Sequence, residues 1–230
     1  MNKRVALSWS GGKDSCMALD VLKGKGIEVA CFITTVPREI GRTFGHGEKM
    51  SLVKLQGEAL NIPVEFISCT FEDYTLSFET VLKRIKEEYG LDGIAFGDLY
   101  LEGHREWGEK VAESANLEAI YPLWGKKEDA LQALQTFIES GYQAVVIRVR
   151  EDILDDSWLG KRLDFTFLDD IKMKEICPMG ESGEYHTFVF DGPLFNKKIV
   201  LTQPEIISLE TTKKLEFLHY ELKQKETLNG

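Results

Sequence analysis

Short unbroken apolar runs alternate along this chain with segments whose apolar residues recur every three or four positions. Val5-Ala6-Leu7, Ile27 to Val36, Ile62 to Ile67 and Ile94-Ala95-Phe96 read as strands, and Ala119 to Trp124 is a further short apolar stretch. Between them, Met17, Ala18, Leu19, Val21 and Leu22 line one face of a helix that should stop near Gly24 or Gly26. Met50, Leu52, Val53, Leu55 and Leu60 mark a helix from Glu48 to Leu60, closed by Asn61. A third, between Glu72 and Tyr89, turns Tyr74, Phe78, Val81, Leu82 and Ile85 inward and ends at Gly90; His104 to Ala115 suits a fourth.

Beyond Trp124 the pattern loosens. It predicts a helix from about Lys127 to Ser140 with Gly141 as C-cap, a strand over Ala144 to Val149, and a turn with a short helix at Asp155 to Gly160. A helix over Phe165 to Ile176 and a strand at Phe188-Val189-Phe190 follow, and Lys213 to Gly230 is charged and amphipathic. Regular alternation in the first half predicts a parallel α/β sheet with helices on both faces and ligands at the carboxyl ends of its strands. The change near Gly125 divides the chain into residues 1–125 and a smaller domain, 126–230. Three segments that follow strands should converge on one crevice: Ser10 to Ser15, the glycine-rich Pro37 to Gly47, and Gly97-Asp98.

Composition narrows the function. With 230 residues, 43% of them hydrophobic, the chain can bury a full core. A net charge of -10 opposes nonspecific attraction to nucleic acid. The four cysteines, Cys16, Cys31, Cys69 and Cys177, form no C-x-x-C pair, so a zinc ribbon or iron–sulfur cluster has no support. No signal-peptide core or membrane-length apolar run is visible, and a soluble, reduced, cytoplasmic protein is expected, with a homodimer allowed.

The chemistry starts at Ser10-Gly11-Gly12-Lys13-Asp14-Ser15, between the first strand and the first helix. Two glycines let backbone approach a ligand closely, Asp14 and Ser15 stand where an N-cap is expected, and free N–H groups with the helix dipole make an anion site. A Walker loop does not fit, because Leu7 stands where its first glycine belongs and Asp14 where Ser or Thr would hold Mg²⁺. The stretch resembles the PP-loop of N-type ATP pyrophosphatases, which split ATP between its α and β phosphates. That resemblance implies adenylation of a substrate oxygen followed by displacement of AMP.

A second dense stretch, Cys177 to Thr187, holds Glu181, Glu184, Tyr185 and His186 between glycines. From composition alone it is equally a polar turn. Taken with the PP-loop, Phe96-Gly97-Asp98, Pro122-Leu123-Trp124 and Asp191 to Phe195, however, the sequence from Val5 to Phe195 resembles the diphthine–ammonia ligase family. The resemblance implies a Rossmann-like (HUP-type) nucleotide domain and a smaller α+β domain carrying the Gly180-Glu181-Ser182-Gly183-Glu184-Tyr185-His186-Thr187 loop opposite it. It also implies an ATP-dependent ligase that adenylates a carboxylate and transfers ammonia to it. The cofactors would be ATP and Mg²⁺. Partners would be ammonia, free or from a donor protein, and a carboxylate substrate, elongation factor 2 where the host makes diphthine.

On that basis Lys13, Asp98, Glu184 and His186 are candidate catalytic groups, Asp98 also a metal ligand. Ser10, Gly11, Gly12, Lys13, Asp14, Ser15, His46 and Gly97 are candidates for binding nucleotide. Glu181, Glu184, Tyr185, His186, Thr187, His104 and Arg105 are candidates for binding substrate. Trp107, Trp124, Trp158 and Tyr185 could offer an aromatic surface to a trimethylammonium group. Two alternatives stay open: a PP-loop tRNA-modifying enzyme, which the acidic charge and absent C-x-x-C oppose, and a non-catalytic ATP or AMP sensor.

Overall fold

The computed structural model describes residues 2–209 and 211–225. In the first half, β1 (Arg4–Ser8), α1 (Lys13–Gly24), β2 (Glu28–Pro37), α2 (Met50–Leu60) and β3 (Val64–Cys69) are followed by α3 (Tyr74–Tyr89), β4 (Gly93–Ala95), α4 (Glu102–Ser114) and β5 (Glu118–Ile120). The strands pair in parallel in the order β3-β2-β1-β4-β5. Side chains along β1 alternate between two cores. Val5 and Leu7 join Leu19 and Leu22 of α1 and Leu52 and Val53 of α2, while Ala6 joins Phe78 and Leu82 of α3 and Val111 of α4. Helices therefore cover both faces, and the middle of β1, Val5 to Leu7, is apolar at every position because neither side meets water. Asn61 and Gly90 end α2 and α3 in the left-handed conformation, with φ of 55° and 61°.

The second half contains α5 (Ala130–Glu139), entered through one 3-10 turn at Lys127–Asp129, then β6 (Gln143–Arg150), α6 (Phe165–Ile171), β7 (Tyr185–Asp191), β8 (Lys197–Leu209) and β9 (Thr212–Gln224). Its sheet is antiparallel, ordered β7-β6-β9-β8. Three expectations change here. The helix predicted to reach Ile176 stops at Ile171, since the residues after it, Met173 among them, are exposed and offer no face to bury. The strand expected at 188–190 begins at Tyr185, because Tyr185, His186 and Thr187 pair with Val149, Arg148 and Val146 of β6. The long β8–β9 hairpin was not anticipated; 226–230, the end of the amphipathic stretch, lie outside the described residues.

The two sheets share one core. The cluster under α1 and α2 continues into Leu134, Phe137, Val146 and Phe188 of the second half, and α1 packs on β7 while α2 packs on β8 and β9. Among the described residues no helix is long and apolar enough to cross a membrane.

Candidate active site

Ser10 to Ser15 turn from β1 into α1 with Gly11 at φ 79°. Gly12 is the N-cap and Lys13 the first helical residue, so Asp14 and Ser15 lie inside the first turn and do not cap it, contrary to expectation. Ser15 Oγ donates back to the Gly12 carbonyl at 2.9 Å. The loop is clamped from three sides. Gln56 of α2, fully buried, donates through Nε2 to the carbonyls of Gly11 and Val189, both at 2.8 Å, and accepts from Trp9 Nε1 at 3.0 Å. The Val189 N–H donates to the Gly11 carbonyl at 2.9 Å. The Lys13 N–H donates to Thr187 Oγ1 at 3.0 Å.

A Cβ on Gly11 would stand 2.3 Å from Gln56 Oε1. One on Gly12 would stand 2.7 Å from His46 Cε1 and 3.0 Å from the Thr187 carbonyl. Both glycines thus make room for neighbouring protein groups, a requirement the sequence alone did not indicate.

The open side of the loop faces a cleft of about 190 Å³ lined by Ser8, Ser10, Asp14, Ser15, Gly97, Asp98, His104 and Glu181. It lies at the carboxyl ends of β1 and β4, with Glu181 reaching in from the second half. Glu181 Oε1 accepts the Leu99 N–H at 2.9 Å. Burial pushes its carboxyl up to about 7, with Asp14 and Asp98 adding to the rise and the Leu99 hydrogen bond opposing it. Asp14 is also raised, by burial first, despite its contact with Lys13 Nζ at 3.1 Å; its Oδ1 is buried without a hydrogen-bond partner. Asp98 Oδ1 sits 2.8 Å from His104 Nδ1 and raises that imidazole. An aromatic pocket of about 410 Å³, walled by Tyr74, Phe96 and Trp107, adjoins the cleft and shares Ser8, Asp98 and His104 with it.

Behind the loop, His46 and His186 meet with ring centroids 4.5 Å apart, and His46 Nδ1 lies 3.2 Å from the Thr187 carbonyl. Burial and the nearby Lys13 lower His46 to about 3; burial, then His46 and Lys13, depress His186 well below its ordinary value. Both rings are neutral at physiological pH. Lys13 is buried, its ammonium 4.8 Å from the centre of the Tyr185 ring, and Tyr185 donates to the Pro178 carbonyl at 2.6 Å.

The candidate catalytic groups Glu184 and His186 meet different partners. The Glu184 carboxylate accepts the N–H groups of Ser182 at 2.9 Å and Cys177 at 3.3 Å, bracing its own loop, while His186 packs on His46. Arg105 lies outside the cleft lining, bound to Glu109 at 2.8 Å and stacked 5.0 Å from Trp124. The four aromatic residues do not form one surface: Trp107 borders the pocket, Trp124 lies under Arg105 and edge-on to Tyr121, and Trp158 and Tyr185 are buried around Phe167. Gln56 was missed. Its one signal was an amide on the same helical face as Leu52, Val53, Ala59 and Leu60.

A doubly covered parallel sheet with a PP-loop after its central strand defines a nucleotide-binding α/β protein to which an antiparallel lobe is joined. The chain belongs to the diphthamide synthase family: residues 3–119 match the diphthamide synthase N-terminal domain and residues 129–225 its C-terminal domain. The diphthine–ammonia ligase of Bos taurus is 31% identical over 232 residues, covering 89% of this chain and 85% of that protein. That of Homo sapiens is 31% identical over 231 residues with the same coverage. A solved U34-tRNA thiolase, NcsA from Methanococcus maripaludis, superposes with a TM-score of 0.37 at 18% identity over 60% of this chain and 58% of its own, too slight a likeness to bear on fold or function.

Proposed function

We propose that this chain is an ATP-dependent amide ligase that cleaves ATP between its α and β phosphates, with diphthine as the carboxylate and ammonia as the nucleophile. The observation that carries this reading is the single cleft in which Ser10, Asp14 and Ser15 of the PP-loop face Asp98 and Glu181. Residues 1–125 would hold ATP, and 126–230 would present the Glu181 loop to the substrate.

A carboxylate resists ammonia until one of its oxygens becomes a leaving group. In the first step that oxygen attacks the α-phosphorus and pyrophosphate departs, its charge facing the start of α1, where backbone N–H groups and the helix dipole favour anions. In the second, ammonia attacks the acyl carbon, AMP leaves, and the nitrogen sheds a proton. Glu181, which lines the cleft and whose carboxyl burial pushes up to about 7, would take it. Glu184 is given a different part, holding the loop that carries Glu181. His46 and His186, neutral and packed behind Gly12, keep the loop in shape.

Magnesium fits this donor set. Hard cations take carboxylate oxygens, and Asp14 Oδ1, buried and unpartnered beside Asp98, is such a donor. When bound, the ion would supply neutralising charge for the polyphosphate.

The test is turnover of the full chain with magnesium-ATP, ammonium chloride and elongation factor 2 carrying diphthine. AMP, pyrophosphate and the amide, the last by mass spectrometry, are the expected products. ADP and phosphate as the main products would overturn the reading.

A further inference from the structure

The segment from Arg42 to Lys49 carries His46, yet its charged side chains are held by the opposite lobe. Glu48 and Lys214 of β9 form an ion pair with side chains only 2% and 1% exposed, and Lys214 Nζ also donates to the Leu215 carbonyl at 3.2 Å. Two residues along β9, Glu216 takes Arg42 Nη2 and Lys49 Nζ, each at 3.0 Å. Arg42 holds the Glu216 carboxyl down to about 2, whereas burial raises that of Glu48 against the pull of Lys214. From β6, Arg148 donates to the Gly45 carbonyl at 2.5 Å and, through Nε, to Thr212 Oγ1 at 2.9 Å. Gly47 is wedged among Arg148, Leu209 and Lys214.

Within its own lobe the segment is anchored mainly at Phe44, whose ring meets Phe71 and Tyr74 edge-on with centroids 5.1 and 5.3 Å away. Phe44 N–H reaches the Thr35 carbonyl at 3.1 Å, and the bonds among Thr43, Glu48 and Gly47 are internal to the turn. Buried ion pairs contribute little net stability, since desolvation offsets much of their attraction, but losing a partner leaves a buried charge uncompensated, which favours the arrangement that pairs them. Here that arrangement fixes the imidazole of His46 against Gly12 and the Thr187 carbonyl.

We propose that Glu216 and Lys214 are positioning residues that act through His46: β9 holds the 42–49 segment in place, and the segment in turn sets the shape of the PP-loop. The nucleotide part of this rests on the function proposed above; the placement of His46 does not.

Two readouts on the full chain separate them. In protein labelled with ¹³C-histidine, Glu216→Gln should shift the ring signal of His46, identified by its loss in His46→Ala. By calorimetry, Glu216→Gln should weaken binding of α,β-methylene-ATP about tenfold, and in a His46→Ala background the same change should add less than about twofold, because two residues acting through one path are not additive. An unmoved His46 signal would overturn the proposal, as would effects that multiply in the double variant. If the parent binds no α,β-methylene-ATP, the proposed function fails while the ring signal still decides the positioning role. Should Glu216→Gln not fold by circular dichroism, Arg42→Lys, which keeps the charge and loses the forked contact, carries the same two readings.

Discussion

Glu181 ties the cleft to pH. Its carboxyl is raised from an ordinary 4.5 to about 7, so between those values the folded protein holds a proton that the unfolded chain has released. Glu181 therefore subtracts stability as pH rises through that window. Magnesium held by Asp14 and Asp98, as proposed above, would favour the ionised form of the neighbouring Glu181 and oppose this loss. Magnesium-ATP should accordingly raise the melting temperature more at pH 8 than at pH 6, and Glu181→Gln should erase the difference; equal shifts at both pH values in the parent would remove Glu181 from the cation's surroundings. The sequence showed the polar residues of both motifs because each motif is contiguous. It did not show that Glu181 enters the cleft while Glu184 turns back on its own loop, since that depends on which backbone N–H groups the turn leaves open. Nor did two adjacent glycines disclose that the atoms crowding them belong to Gln56, His46 and Thr187.

At the scale of elements, α2 does more than cover a sheet. Gln56 binds the loop after β1 and the middle of β7 with one amide, and supplies the acceptor for Trp9. Gln56→Leu keeps the volume but leaves buried carbonyls and the indole N–H without these partners, so it should cost about 2–3 kcal/mol in urea unfolding. A loss under about 0.5 kcal/mol would mean that water or other groups replace the amide. Helices and parallel strands were legible because each is buried on a regular period. The β8–β9 hairpin was not: Lys214 and Glu216 are buried on β9 through contacts with Glu48, Arg42 and Lys49, residues far away in sequence, and its outer part, including Ile206 and Leu218, is exposed. With charges buried beside Leu215 and Phe217 and apolar residues exposed farther out, no split into an inner apolar and an outer polar face marks the hairpin.

For the whole molecule, a core that runs from β1 through α1 and α2 to β6 and β7 implies that the lobes unfold together. Trp9, Trp107 and Trp124 lie in the first lobe and Trp158 in the second. Urea unfolding of Trp158→Phe, whose fluorescence comes from the first lobe alone, should be a single transition and should match the circular dichroism midpoint of the same variant. A fluorescence midpoint that separates from circular dichroism in that variant would show lobes that melt independently. The bond between the Lys13 N–H and Thr187 Oγ1 gives this unity a further meaning. That N–H is one of the donors a helix start leaves for an anion, and here a hydroxyl from the far lobe already holds it. An anion at this helix start is left the N–H groups that Thr187 does not hold, so the far lobe helps to decide which donors the loop presents.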